Sequence, residues 1–456
     1  MDAPYINPPL VESAGPAHLA DGRSKSDAPM LVFLAVLPFG LLLDAGFIGQ
    51  IFATELVFLL LLPVFWLSGG AQLPQAPRQL LRWIALWLAV QVATDFYVGS
   101  YIGDYLRGWA KLVFFMADVY VLLKLLTTEQ RLFVWLLGWN IAFAIGSWKQ
   151  FEDFAIRWKF GVGFCAVNAL IILAVLIWPR RLKFTARLGA VVCLVAGGAS
   201  LFLNARNTFL CLEFSAVLLG MTSFSGAQQF LARLWDKRGI LLLAGVLGTA
   251  YLAGVVYVEG ASAGVFGDDA REKLKAQTND AFGPVLGALA GGREEFNASF
   301  AAIGDSPIVG YGSWARSAYY YNVYVESIHE TGTPEQIREV DSKTYVGDPI
   351  IPTHSHLFGA WVEAGIAGAA FWVLVMRRII KLTRRSLDLA SPVAVLVMLN
   401  TAFFFWNIVF SPFGGEMRLV NASLLALFFF TPRTGDADAA DAAGALGPAA
   451  RPPRYA

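Results

Sequence analysis

Charge is what this sequence has least of. Asp, Glu, Lys and Arg make up 15% of its 456 residues, where a soluble globular chain carries about 25%. Long uncharged stretches alternate with basic clusters, the habit of a polytopic membrane protein rather than a soluble one. Cysteine is scarce too: Cys165, Cys193 and Cys211 all fall inside apolar runs, which argues against a disulfide framework or a zinc site. The 35 basic residues are balanced by 34 acidic ones, so there is no cationic excess to recruit a nucleic acid. No Asp-rich cluster suggests a bound metal. No internal repeat is visible, although transporters are commonly built from two related halves. The first 28 residues are polar and Pro/Ala-rich with no apolar core near Met1, so no cleavable signal peptide is expected.

What the chain has instead is apolar runs. A helix that crosses a bilayer needs about 20 mostly apolar residues. Twelve runs approach this, near 30–49, 51–68, 80–98, 107–126, 131–147, 160–178, 187–203, 207–223, 239–258, 355–376, 390–410 and 417–431. The expected fold is therefore an all-α polytopic membrane protein with about twelve transmembrane helices. Basic residues near helix ends are retained in the cytoplasm. With the N-terminus inside, the inner segments hold Arg23 and Lys25, Arg78 and Arg82, Lys124 and Arg131, Arg180 to Arg187, Arg233 to Arg238, and Arg377 to Arg385. Lys149, Arg157 and Lys159 run against that pattern. One connection, 259–351, is much longer than the others and falls outside the cytoplasm, between the ninth and tenth runs. It carries fourteen acidic residues against seven basic. Its clusters AFGPVLGAL and SAYYYNVYVESI predict short packed helices. The expected layout is a disordered cytoplasmic segment at 1–28, membrane domains at 29–258 and 352–432 flanking the loop, and a disordered cytoplasmic tail at 433–456.

Ionisable groups at the outer end of membrane helices are expensive enough to examine singly. Arg206 sits at the tip of the hairpin LFLNARNTFL, and Arg293 opens GGREEFNASFAAIGDSPIVGYGSWA. A guanidinium makes forked bonds to phosphate oxygens, so each is a candidate anion ligand. Arg107 and Lys111, at i and i+4 on one side of a helix, are lesser candidates. The stretch HSHLFGAWVEAGIAG brings His354 and His356 to the start of an apolar helix that Thr353 or Ser355 can cap. His356 and Glu363 share one face of it, and Ala360, Ala364 and Gly368 form a small-residue stripe that admits a close neighbour. An imidazole there suits proton removal near neutral pH. A metal site from His354, His356 and His329 has little support, since no further His or Cys cluster accompanies them. Each residue also has a structural reading: a snorkelling arginine, a surface ion pair, a hydrogen-bonded interface histidine.

Three segments together resemble a family. HSHLFGAWVEAGIAG is similar to the H-N-x-x-L…E-x-G-x-x-G signature of the O-antigen ligase and O-antigen polymerase superfamily, whose histidine falls on His354 by its spacing to Glu363. REEF followed by IGDSPIVGYG resembles the family's arginine and P-x-x-G-x-G in the large periplasmic loop. NARNTFLCL resembles the family's arginine at a helix start before that loop, and FGVGFCAVNALIIL its G-x-F-x-x-P-N-x-L-A element, ending on Asn168. The resemblance covers roughly residues 105–380 in order. It departs at Ser355, where the family usually has Asn, and before Asn168, where no proline stands. The first departure keeps His356 beside His354 as a candidate.

The resemblance implies a metal-independent, inverting glycosyltransferase without a cofactor, on the periplasmic face of a bacterial inner membrane. The donor would be a glycan on undecaprenyl diphosphate. The acceptor would be a saccharide, either lipid A–core for a ligase or a new lipid-linked repeat unit for a polymerase. Arg206 and Arg293, helped by Arg107 and Lys111, would meet the departing diphosphate. His354, with His356 as second choice, would serve the acceptor hydroxyl, with Glu363 in support. The alternative is a transporter or flippase of a lipid-linked glycan. The nine-and-three division of the runs and the outward gathering of ionisable groups favour the transferase.

Overall fold

The computed structural model describes residues 27–46, 50–67, 73–222, 254–277, 293–332, 334–345 and 347–431, with the single residues 248 and 252. Apolar runs wind into helices because backbone that leaves water must satisfy its own N–H and C=O groups. In chain order these are α1 (Ala28–Val36), α2 (Ala53–Leu67), α3 (Gln75–Val98), α4 (Ile102–Leu125), α5 (Glu129–Gln150), α6 (Phe154–Arg157), α7 (Gly163–Ile177), α8 (Leu182–Phe202) and α9 (Arg206–Met221). The long connection contributes α10 (Asp268–Gln277), α11 (Glu295–Asp305), α12 (Ala318–Thr331) and α13 (Pro334–Ser342). The chain then forms α14 (His356–Ser386), α15 (Pro392–Phe410) and α16 (Met417–Phe428). A two-residue antiparallel pair, β1 (Asp44–Ala45) with β2 (Ile51–Phe52), joins the first turn to α2.

By length and composition, five helices among the described residues can cross a membrane: α5, the continuous Phe154–Ile177, α8, α14 and α15. The chain is thus a multi-pass helical membrane protein, and among the described residues the expected spans are corrected to these five. The reasons are local. The first run changes at Leu37 into a 3-10 turn, and the second makes a 15-residue helix holding Pro63. α3 and α4 are 24 residues each, but Arg78, Arg82 and Asp95 on one, and Asp104, Arg107, Lys111, Asp118 and Lys124 on the other, make them too polar. α9 has 16 residues and α16 has 12. Most of the run near 239–258 lies outside the described residues, as do both chain ends, the cluster Arg233, Lys237 and Arg238, and the segment AFGPVLGAL.

The core gathers Trp87, Trp135, Trp372, Phe58, Phe115 and Phe404, all fully buried. α8 meanwhile exposes Val191, Leu194, Val195 and Phe202 on its outer side. Helices apolar on both faces fit lipid on one side and protein on the other. Polar cross-links inside are paired: Asn400 Nδ2 donates to Asn168 Oδ1 at 2.9 Å between α15 and α7. Arg418 on α16 grips Glu55 on α2 through Nε at 2.8 Å and a second nitrogen at 3.0 Å.

α14 does not run straight. Its backbone leaves helical geometry at Ala364 and Gly365, where Gly365 has φ 59° and ψ −154°. The groups released there are taken up by the segment PIVGYG of the long connection. Tyr311 N donates to Val362 O (2.8 Å), Gly312 N to Glu363 O (3.0 Å), and Ile366 N to Ile308 O (3.3 Å). The small-residue stripe Ala360, Ala364 and Gly368 is therefore bent at its middle residue, and backbone of this loop packs at the bend.

Candidate functional site

Loop docking begins with the two glycines. Gly310 and Gly312 have φ of +83° and +82°, a region that side chains avoid. A Cβ on Gly310 would reach Gly365 N and Val362 O of the bend, and one on Gly312 would reach Ser100 and Asp95. The next residue, Ser313, is held by Asp95 of α3, which accepts from its backbone N at 2.5 Å and its Oγ at 2.7 Å. Asp95 also accepts from Ser100 Oγ (2.8 Å) and Trp109 Nε1 (2.7 Å), so its buried carboxylate is fully served. Arg316 then forks onto Asp104 of α4 at 2.6 and 3.1 Å. These long-range bonds fix the strand of chain that walls the site.

Behind that wall is a cavity of about 700 Å³ lined by Lys111, Glu295, Trp314, Tyr324, His354 and Glu363, among others. That volume lies within the range for small-molecule sites. Lys111 Nζ and Glu363 Oε2 form an ion pair at 2.6 Å, both largely buried. Glu363 Oε1 also accepts from Trp314 N at 3.3 Å. Lys111 is thus neutralised by the residue at the helix bend, and Arg107, one turn earlier on α4, is exposed.

The two histidines have opposite surroundings. Ser355 is the N-cap of α14, accepting from Phe358 N at 3.1 Å, which leaves His354 in extended chain and makes His356 the first helical residue. His354 keeps 43% of its side chain exposed and lines the cavity. Burial of the rest, and then the charge on Arg293, push its proton affinity below that of an ordinary imidazole. His356 is fully buried. Its Nδ1 donates to Ser411 O at 2.6 Å, its Nε2 pairs with Asn421 Nδ2 at 2.9 Å, and Trp372 and Phe413 pack on the ring. Both nitrogens are engaged, so His356 ties α14 to α16 rather than facing the cavity.

Arg293 lies against Trp406 and Phe410, its guanidinium 5.6 and 5.2 Å from the ring centroids. Arg206, the first residue of α9, lies 5.1 Å from the centroid of Tyr257. The two are close enough to interact: burial lowers the proton affinity of Arg293, Glu295 opposes this, and the charge on Arg206 reinforces it. The structure therefore brings Arg206, Arg293, Glu295 and His354 into one electrostatic neighbourhood, with Lys111 and Glu363 on the adjoining cavity wall.

Glu295 was not singled out by the sequence, although it stands in the REEF motif two residues after Arg293. Its carboxyl proton affinity is raised by burial, against opposing effects of its own backbone N–H and Arg293. Its Oε2 and Trp314 Nε1 are buried without a hydrogen-bond partner among the described residues. Tyr324 nearby is pushed up to about 12 by burial and by Glu295 and Glu294. Among the described residues there is no His, Cys, Asp and Glu group able to hold a metal ion. His329 pairs with Asp341 at 2.9 Å on the exposed α12–α13 hairpin. Compared with known proteins, the chain matches no protein-family model and no curated protein sequence.

Proposed function

We propose that this membrane protein is a glycosyltransferase of the O-antigen ligase or polymerase type. It would move a glycan from undecaprenyl diphosphate to an acceptor saccharide at the periplasmic face of an inner membrane. The observation that carries the reading is the cavity lined by His354 and Glu295, with Arg293 seated against Trp406 and Phe410 and its charge felt by both of those cavity residues. Arg293, which feels Glu295 and Glu294 as well as Arg206, and Arg206 itself are fork-shaped donors, and a diphosphate is the anion for which forked donors are best suited. Charge that develops on a departing diphosphate is stabilised by donors already in place. The cavity's Trp314, Tyr321 and Tyr324 suit the stacking and hydroxyl pairing of a sugar. In this reading Lys111, held by Glu363, sets the wall position rather than binding phosphate directly.

A flippase of lipid-linked glycan is the second reading, favoured by the break in α14, since transporters place unwound helices at their binding sites. Here, however, Val362 O, Glu363 O and Ile366 N at the break are taken by loop backbone. The test is a deletion strain complemented with wild type, Arg206→Ala, Arg293→Ala or His354→Ala, with surface glycans resolved by gel. Full-length glycan stalled on the lipid carrier indicates a ligase, and single repeat units in place of long chains indicate a polymerase. Normal glycans from all three variants refute the transferase reading.

A further inference from the structure

We propose that Glu295 takes the proton of the acceptor hydroxyl, and that His354 holds the same hydroxyl from its other side. The inference rests on the transferase reading above and assigns the proton step within it.

Glu295 Oε1 is 3.9 Å from His354 Nδ1, too far for a direct hydrogen bond and too near for a water layer between two separate sites. A hydroxyl oxygen at about 2.8 Å from each atom completes a triangle with an angle near a right angle at the hydroxyl. One oxygen can therefore donate to the carboxylate and accept from the ring N–H. Both side chains line the same cavity, and the second carboxylate oxygen, Oε2, is buried without a partner among the described residues. Their relative position is fixed by neighbouring contacts between the two segments, not by the pair itself. Ser299 Oγ, one turn along α11, donates to Pro352 O at 3.2 Å, and Phe296 and Phe300 pack on Phe358 at 5.3 and 4.9 Å. Glu295 and His354 are thus carried on two segments clamped together on either side of the gap.

Electrostatics then decides which of the two receives the proton. Arg293, Glu294, Tyr324 and His354 are among the charged or titratable groups near Glu295, and Arg206 acts in turn on Arg293. A proton on His354 would place a third cation beside Arg293 and Arg206, in a setting where burial already disfavours the imidazolium. A proton on Glu295 would neutralise a half-buried anion, which burial favours. The acceptor O–H breaks and its proton passes to the Glu295 carboxylate. The oxygen's electron pair forms the new bond to the sugar carbon, and that carbon's bond to the diphosphate oxygen breaks, the pair leaving with the diphosphate toward the arginines. Water later takes the proton from Glu295.

The experiment uses the full-length protein in lipid nanodiscs, with a lipid-diphosphate-linked saccharide as donor. Glu295→Gln keeps size and hydrogen bonding but cannot take a proton, and is expected to lower kcat by about 10²–10⁴-fold with little change in the donor KM. Glu295→Ala is expected to regain activity in added formate, as a positional role would not. His354→Gln, which retains an N–H donor, is expected to lose less than Glu295→Gln. Wild-type kcat in Glu295→Gln, or a failure of formate to rescue Glu295→Ala while His354→Ala alone abolishes turnover, overturns the assignment to Glu295 and leaves the transferase reading intact. Wild-type protein with no transfer overturns both.

Discussion

Replacing Gly365 with alanine tests whether the bend in α14 organises the site. Its backbone, φ 59° and ψ −154°, lies in a region essentially restricted to glycine, where another residue is strained by about 1–3 kcal/mol. Space is also lacking: an added Cβ would overlap the Ile308 carbonyl and approach Val309 N to 2.7 Å. Those atoms are backbone and cannot rotate away, so the loop must lift. Lifting it breaks the Tyr311–Val362, Gly312–Glu363 and Ile366–Ile308 hydrogen bonds, each worth about 1 kcal/mol net. The combined cost is about 4–6 kcal/mol, enough for an increase of about a thousandfold or more in the undocked loop. Proteolysis follows the population of the open form when reclosure is fast. The expected result in nanodiscs is rapid cleavage within 306–316, together with loss of transfer. Gly304→Ala is the control: it lies in helix α11 with nothing near its Cβ position and should be neutral or stabilising by up to about 1 kcal/mol. A Gly365→Ala protein cleaved at the wild-type rate refutes the reasoning.

Other expectations follow from the ion pairs and the exposed histidine. Lys111→Met should destabilise by about 3–5 kcal/mol, because Glu363 is left without its cation, while Lys111→Met with Glu363→Leu should recover most of the loss. Thermal denaturation of the cycle measures this, and additive single effects would disprove the coupling. The Arg418–Glu55 pair between α16 and α2 should behave alike, with Arg418→Met costly and Arg418→Met with Glu55→Leu near wild type. His354 should titrate below its ordinary value of 6.5. Its folded affinity is depressed, so its contribution to stability is present above that value and is lost as pH falls below it toward the folded pKa. Histidine NMR in nanodiscs reads this directly, and an inflection at or above 6.5 would contradict it.

The sequence foretold helices in most of the apolar runs that the described residues cover, because that pattern is local. It overcounted crossings because it could not see how polar residues within a run are used. Gln91 and Asp95 sit in the run LAVQVATDF and find partners at Ser313, more than two hundred positions away. Lys111 finds Glu363 across a comparable distance. A run that holds such anchors is a helix of the packed interior, although by composition it approaches a span. The site was half legible for the same reason. The serine between the two histidines marks a helix N-cap, and that signal alone separates an extended His354 from a helical, inward His356. Glu295 had no distinguishing pattern: its character comes from burial on α11 and from the approach of His354, neither of which is encoded nearby.

The cations of the site divide according to what already neutralises them. Lys111 has Glu363 at 2.6 Å, so an incoming anion would have to displace a carboxylate, which makes it a poor first ligand. Arg293 has aromatic faces, the carboxylates of Glu295 and Glu294 and a second guanidinium in its neighbourhood, and its planar fork suits a dianion better than the point charge of Lys111 does. The same carboxylate that quiets Lys111 also receives Trp314 N, and its backbone carbonyl receives Gly312 N. Glu363 therefore joins the bend of α14, the α4 lysine and the loop that walls the cavity. On the transferase reading this separates two duties that a single cation could not perform together: the arginines answer the charge that appears during reaction, and the Lys111–Glu363 pair keeps the wall in place whether or not that charge is present. Substituting Glu363 should then alter the shape of the cavity before it alters the binding of diphosphate. A raised KM for the acceptor saccharide, with diphosphate inhibition unchanged, is the signature of that separation. Equal weakening of both would mean that Lys111 and the arginines act on one anion.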